Sequence, residues 1–198
     1  MNVTEIRVVD CVPFENYPFK IQDNSDMEML IDSIKESGVL IPIVVRPKGK
    51  EYEILSGHRR IYACKMAGID KVPAIIRELS RDEAVIFMVD SNLHREGLLP
   101  SEKGFAYKMK LEAMKHQGRT SAQVGQKLTS VQALADSSSD SKTQVQRYIR
   151  LTFLEKPLLD LVDEGRIALT PAVELSRLLP EEQRNLIETI ESEDCTPS

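Results

Sequence analysis

The feature that most constrains this 198-residue chain is a change of pattern near residues 97–101. Before it, short β-branched runs alternate with helical stretches; from Pro100 onward every periodic segment is helical. Such a switch predicts an α+β fold, with a small mixed α/β module over residues 1–99 and an all-α module over residues 100–198. Each part is long enough to bury a core of its own.

In the first part, Ser25-Asp26-Met27-Glu28 has the form of a capping box, and MLIDSIKESG continues as a helix to Gly38. VLIPIVVRP reads as a strand, Lys48-Gly49-Lys50 as a turn and EYEILSG as a second strand. RRIYACKMAG is a short helix ending at Gly68, and KVPAIIREL is a third strand. Ser80-Arg81-Asp82-Glu83 is another capping box, opening the helix of AVIFMVDSNLH. In the second part, Ser101 starts a helix expected to run to about His116 and to be broken by Gly118-Arg119-Thr120. Thr129-Ser130-Val131-Gln132 is a third box, leading into VQALAD. Thr170-Pro171 and Leu179-Pro180 read as helix starts, because proline suits the first helical turn.

Hydrophobic residues make up 41% and charged residues 29%, an ordinary globular balance. No run approaches the roughly 20 apolar residues that span a bilayer. MNVTEIRVVDCVPFENYPF has neither a basic start nor an apolar stretch, so a cytoplasmic protein with no membrane partner is expected. Cys11, Cys64 and Cys195 are scattered, which argues against a disulfide framework or a zinc site. The net charge of −5 hides an asymmetry. Lys and Arg against Asp and Glu number 13 to 17 over residues 1–102, 9 to 3 over 103–150 and 4 to 11 over 151–198. A basic middle between acidic flanks fits a nucleic-acid-reading segment, and equally a solvated helical face.

VQALADSSSDSKTQVQRYIR, residues 131–150, decides between those readings. A helix-turn-helix needs a small residue where its helices meet, and Ala135 supplies it; Val145 and Ile149, four apart, supply the inward face of the second helix. Ser141 is the expected N-cap. Lys142, Thr143, Gln144, Gln146, Arg147 and Arg150 then face outward, with the side-chain chemistry that reaches base edges and phosphates in a major groove. Ser139 stands where the turn of such a motif usually has glycine.

Ser56-Gly57-His58-Arg59-Arg60 lies where a strand gives way to a helix. Glycine lets backbone approach a ligand, the helix start offers free N–H groups, and two arginines add charge, so the segment suits a triphosphate. At the end of the first module, Asn92, Arg95 and Glu96 fall three or four residues apart. Arg95 is expected on phosphate oxygens, and Asn92 and Glu96 on a magnesium ion that takes most of its ligands from phosphate and water.

Taken in order, these segments resemble the ParB/RepB family of chromosome and plasmid partition proteins. LIDSIKESGVLIPIVVRP is similar to that family's helix-then-strand opening, EYEILSGHRRIYACKMAG to its Gly-x-Arg-Arg box, SNLHREGLLPSEKGFAY to its Asn-x-x-Arg box, and SKTQVQRYIRL to its recognition helix. EGRIALTPAVELSRL resembles the helical hairpin that follows. The resemblance implies a ParB/sulfiredoxin-like N-terminal module and a homodimer on palindromic double-stranded DNA. It also implies a CTP–Mg²⁺ switch and a ParA-type ATPase as partner. Ser56, Gly57, His58, Arg59 and Arg60 would line the triphosphate, with Asn92, Arg95 and Glu96 completing the phosphate and metal site. His58 stands where glutamate is commoner, Ser91 where a glutamate usually precedes the asparagine, His94 where glutamine is usual, and Ile41 where glutamine often precedes Pro42. The missing carboxylate at Ser91 bears on hydrolysis, so CTP binding is expected and a weak CTPase activity is left open.

Two enzyme readings compete. Sulfiredoxins share the N-terminal fold but need a nucleophilic cysteine inside the phosphate loop, whereas Cys64 lies later, on the helix. A nuclease would need paired carboxylates for two-metal cleavage, and the sequence shows no such cluster. A transcriptional or nucleoid-occlusion regulator on the same scaffold remains open beside partition.

Overall fold

The computed structural model describes residues 2–120 and 130–193. The chain separates into two compact units, Met1–Asn92 and Leu93–Ser198. The break falls at the end of a helix, a few residues ahead of the change in sequence pattern.

The first unit is built on a five-stranded mixed sheet. Its strands are β1 (Val3–Arg7), β2 (Cys11–Val12), β3 (Ile43–Lys48), β4 (Glu51–Ser56) and β5 (Lys71–Ile76), in spatial order β1-β5-β3-β4-β2. β1 runs antiparallel to β5, β5 parallel to β3, β3 antiparallel to β4 and β4 parallel to β2. Three helices complete the unit: α1 (Ser25–Ser37), α2 (His58–Ala67) and α3 (Arg81–Leu93). Ile43 and Val45 of β3, Val72 and Ala74 of β5, Ile61 and Cys64 of α2, and Met27 and Ile34 of α1 form one buried cluster.

Cap chemistry sets the helix ends. α1 begins one residue earlier in its capping than the sequence predicts: Asn24, not Ser25, is the N-cap, its side chain accepting from the Met27 N–H at 3.1 Å. Asparagine is at least as good a cap as serine, so the upstream residue wins. Gly38 and Gly68 close α1 and α2 as expected. The box at Ser80 is complete, with Glu83 accepting from the Ser80 N–H at 2.9 Å and Ser80 Oγ accepting from the Glu83 N–H at 3.3 Å.

β4 also carries a fully buried carboxylate, Glu53. Arg46, its cross-strand partner on β3, donates from Nε at 2.7 Å, and Lys48 donates from Nζ at 2.9 Å. Burial alone would raise the Glu53 pKa; the hydrogen bonds and charges of Lys48 and Arg46 outweigh it and hold the carboxyl below its ordinary value.

The second unit is wholly helical among the described residues: α4 (Pro100–Thr120), α5 (Ser130–Asp136), α6 (Lys142–Leu151), α7 (Lys156–Asp163), α8 (Leu169–Leu175) and α9 (Pro180–Glu193). Contrary to the sequence expectation, α4 runs through Gly118 to Thr120; a single glycine costs a helix only about 1 kcal/mol. Asp163 of α7 caps the start of α4, accepting from the Ser101 N–H at 2.9 Å and from Ser101 Oγ at 2.5 Å. Leu151, Leu158, Val162, Ile167, Ala172 and Ile190 anchor the core that gathers α6 to α9. Gln183 is buried there with its amide satisfied, accepting from the Glu155 N–H at 2.8 Å and donating to the Phe153 and Leu178 carbonyls. The third predicted capping box begins at Thr129, which lies outside the described residues. No described helix is long and apolar enough to cross a membrane.

Candidate nucleotide-binding and DNA-binding sites

The Ser56–Arg60 segment sits where β4 ends and α2 begins. Gly57 is the N-cap of α2 and holds φ at +105°, backbone that a side chain rarely allows. A Cβ there would lie 2.6 Å from Ile43 Cγ2, so the position requires glycine twice over. No side chain caps this helix start, which leaves its first N–H groups available to an anion.

The three residues after Gly57 behave differently. His58 is 5% exposed, and neither ring nitrogen has a hydrogen-bond partner. Its pKa falls to about 3 because burial disfavours the imidazolium. The buried Nε of Arg59 likewise lacks a partner. Arg60 turns back onto the chain, donating from NH1 to the Ile41 carbonyl and, at 2.8 Å, to the Pro42 carbonyl. It thereby ties the Gly57 loop to the segment entering β3.

Tyr17, which no sequence motif singled out, organises the rest. Its ring stacks on His58 with centroids 3.6 Å apart and planes 18° apart. Its hydroxyl donates to Asn92 Oδ1 at 3.2 Å. Asn92 Nδ2 donates to the Met88 carbonyl at 2.8 Å and to Ser91 Oγ at 3.2 Å. The first unit thus brings Asn92 and the Gly57 loop together through one aromatic ring. Arg95 and Glu96 belong to the second unit. The buried thiols do not point to cysteine chemistry: burial raises the pKa of Cys64 and pushes that of Cys11 to about 11.

In the second unit, α5 and α6 form a helix-turn-helix. Ala135 is buried at the crossing, Val145 is fully buried and Ile149 half-buried. Ser141 caps α6, accepting from the Gln144 N–H at 3.3 Å. Ser141, Lys142, Thr143, Gln144 and Gln146 are exposed along the first half of α6. Arg147 and Arg150 are half-buried: Arg147 donates to Thr170 Oγ1, and Arg150 donates to Ser176 Oγ at 3.2 Å and to the Ser176 carbonyl at 2.9 Å. These two guanidiniums bind α6 to α8.

The turn is held from α4. Asp140 accepts from Tyr107 Oη at 2.7 Å and from Lys103 Nζ at 2.9 Å, while Lys110 Nζ donates to Ser137 Oγ at 2.7 Å. Burial and the hydrogen bond to Asp140 raise the Tyr107 pKa. Ser139 replaces the usual glycine without strain, because among the described non-glycine residues only Asn16 has a positive φ.

The family model for the ParB N-terminal domain matches residues 1–93. That match takes in just under half of the chain, and it is a likeness of the N-terminal domain. The stage 0 sporulation protein J of Bacillus subtilis is 34% identical over 167 residues, 84% of this chain and 55% of that protein. The chromosome-partitioning protein Spo0J of Thermus thermophilus is 31% identical over 181 residues, 91% of this chain and 62% of that protein. The chain therefore spans little more than half the length of these relatives. In solved structures, the C-terminally truncated chromosome-partitioning protein ParB of Caulobacter crescentus, complexed to the centromeric parS site, is similar with a TM-score of 0.57. That likeness holds at 22% identity over 98% of this chain and 94% of the other, and it is one of fold. The matched residues include the Gly57 loop, Tyr17 and Asn92.

Proposed function

We propose that this chain is a ParB-type DNA-binding protein of chromosome or plasmid partition, switched by CTP and Mg²⁺ and acting as a homodimer on palindromic DNA beside a ParA-type ATPase. One observation carries the nucleotide half: at Gly57 an uncapped helix start, a glycine no other residue can replace, and buried ring and guanidinium nitrogens without partners converge. Unpaired buried donors cost about 1–3 kcal/mol each, and an anionic ligand would relieve that cost. The residues therefore fit a triphosphate. Ser56 and the backbone after Gly57 would receive it, with Arg59 as charge partner. Asn92 would hold the metal, whose chemistry is to neutralise the phosphates and orient them.

The DNA half rests on α6, whose exposed Lys142, Thr143, Gln144 and Gln146 stand at the free end of a capped helix over a buried Val145. The Caulobacter structure that shares the fold is complexed to parS. The test is calorimetric titration with CTP, ATP and GTP, each with magnesium, with and without palindromic DNA. Selective CTP binding supports the switch. If no nucleotide binds even with DNA present, the chain is a DNA-binding adaptor and the nucleotide reading fails.

A further inference from the structure

We propose that Tyr17 is a positioning residue: it holds the Asn92 amide at the phosphate loop and so sets how much magnesium nucleotide binding requires. This rests on the reading of the Gly57 loop as a triphosphate site.

The segment carrying Tyr17 is fixed on both sides. Phe14 and Phe19 are buried, the Glu15 N–H donates to Glu53 at 3.4 Å, and the Glu15 carboxylate pairs with Arg81 at 2.7 Å. Between these anchors Asn16 adopts φ +59°, left-handed backbone that asparagine tolerates better than most residues. The Tyr17 N–H closes the turn on the Phe14 carbonyl at 3.1 Å. A strained residue held by its surroundings next to a ring that bridges two site segments marks a built arrangement, not a slack loop.

Phe19 packs edge-on with the Tyr17 ring, centroids 5.4 Å apart and planes at 65°, while His58 covers a face. Swinging the side chain about χ1 would break the stack on His58, so the hydroxyl stays aimed at Asn92. The amide of Asn92 is oriented in turn, because its NH₂ group is committed to Met88 and Ser91. An amide oxygen accepts twice. Tyr17 takes one position and polarises the carbonyl; the second is left for a hard cation or a water bound to it.

The hydroxyl and the ring thus have separable roles. Tyr17→Phe keeps the stack on His58 and removes only the bond to Asn92. Tyr17→Leu removes both. The experiment is CTP titration of the whole chain over a magnesium series that includes a chelator arm, with thermal melts of each variant. Tyr17→Phe is expected to raise the half-saturating magnesium concentration about fivefold, the equivalent of one hydrogen bond, while leaving magnesium-free CTP affinity and the melting temperature unchanged. In an Asn92→Ala background the same substitution is expected to add nothing. Tyr17→Leu is expected to weaken CTP with and without the metal. A Tyr17→Phe variant with the parent's magnesium dependence overturns the inference. So does one that loses magnesium-free affinity to the same extent, since the hydroxyl would then be structural only. The unsubstituted chain separates the two levels: if it binds no CTP at any magnesium concentration, the nucleotide reading itself has failed and Tyr17 falls with it.

Discussion

At the scale of single residues, Gly57 and His58 make opposite demands on the same turn. Gly57→Ala forces a side chain into backbone at φ +105° and onto Ile43. Left-handed backbone costs about 1–2 kcal/mol and overpacking about 1–3 more. A lowered denaturation midpoint and loss of nucleotide binding are expected; an unchanged midpoint would show that the cradle is slack. His58 makes its mark through pH. Its folded pKa of about 3 lies below the 6.5 of an exposed imidazole, so the unfolded chain takes up a proton that the folded chain refuses. Stability is unaffected above about pH 6.5 and drains away as pH falls towards 3, by an amount of order 5 kcal/mol. His58→Phe, which keeps a ring against Tyr17, is expected to flatten that loss. Urea midpoints between pH 6.5 and 5, above most carboxylate titration, are the measurement; parallel curves for parent and variant would refute it.

At the scale of elements, α4 offers the same substitution with opposite signs. Gly104 lets α4 approach α6 so closely that a Cβ would sit 2.6 Å from the Tyr148 carbonyl oxygen. Gly118, in the same helix, faces open space. Gly118→Ala is expected to stabilise by up to ~1 kcal/mol through helix propensity. Gly104→Ala is expected to destabilise by about 1–3 kcal/mol, because Lys103, Tyr107 and Tyr148 must shift with it. Melting temperatures moving the same way would refute the close crossing. Strands β3, β4 and β5 and helices α1, α2, α3 and α6 were legible because periodicity and caps are local. β1 and β2 were not: β1 exposes all but Ile6, so no apolar alternation marks it, and β2 is two residues long. Nor was Tyr17, whose partners lie 41 and 75 positions away in sequence and meet it only after folding. The boxes at Gly57 and Asn92 could be read; the ring that joins them could not.

At the scale of the molecule, charge is distributed by segment and not by unit, and the net −5 says little about affinity. DNA binding should come from the basic stretch 103–150 alone and weaken steeply with salt. Lys142→Ala, at the exposed start of α6, is expected to lower the slope of log affinity against log salt by about one without altering the melt. An unchanged slope would take Lys142 off the phosphate backbone. The sheet of the first unit has a further consequence, seen in how its strands find one another. Arg46 and Glu53 face each other across β3 and β4, next to a register shift between Val44 and Val45. A pairing slipped by one residue would turn Glu53 away from both cations and leave a bare carboxylate in the interior, a fault of roughly 3–5 kcal/mol. The ion triad therefore favours the observed register of β3 and β4, and with it the place of the Gly57 turn at the end of β4.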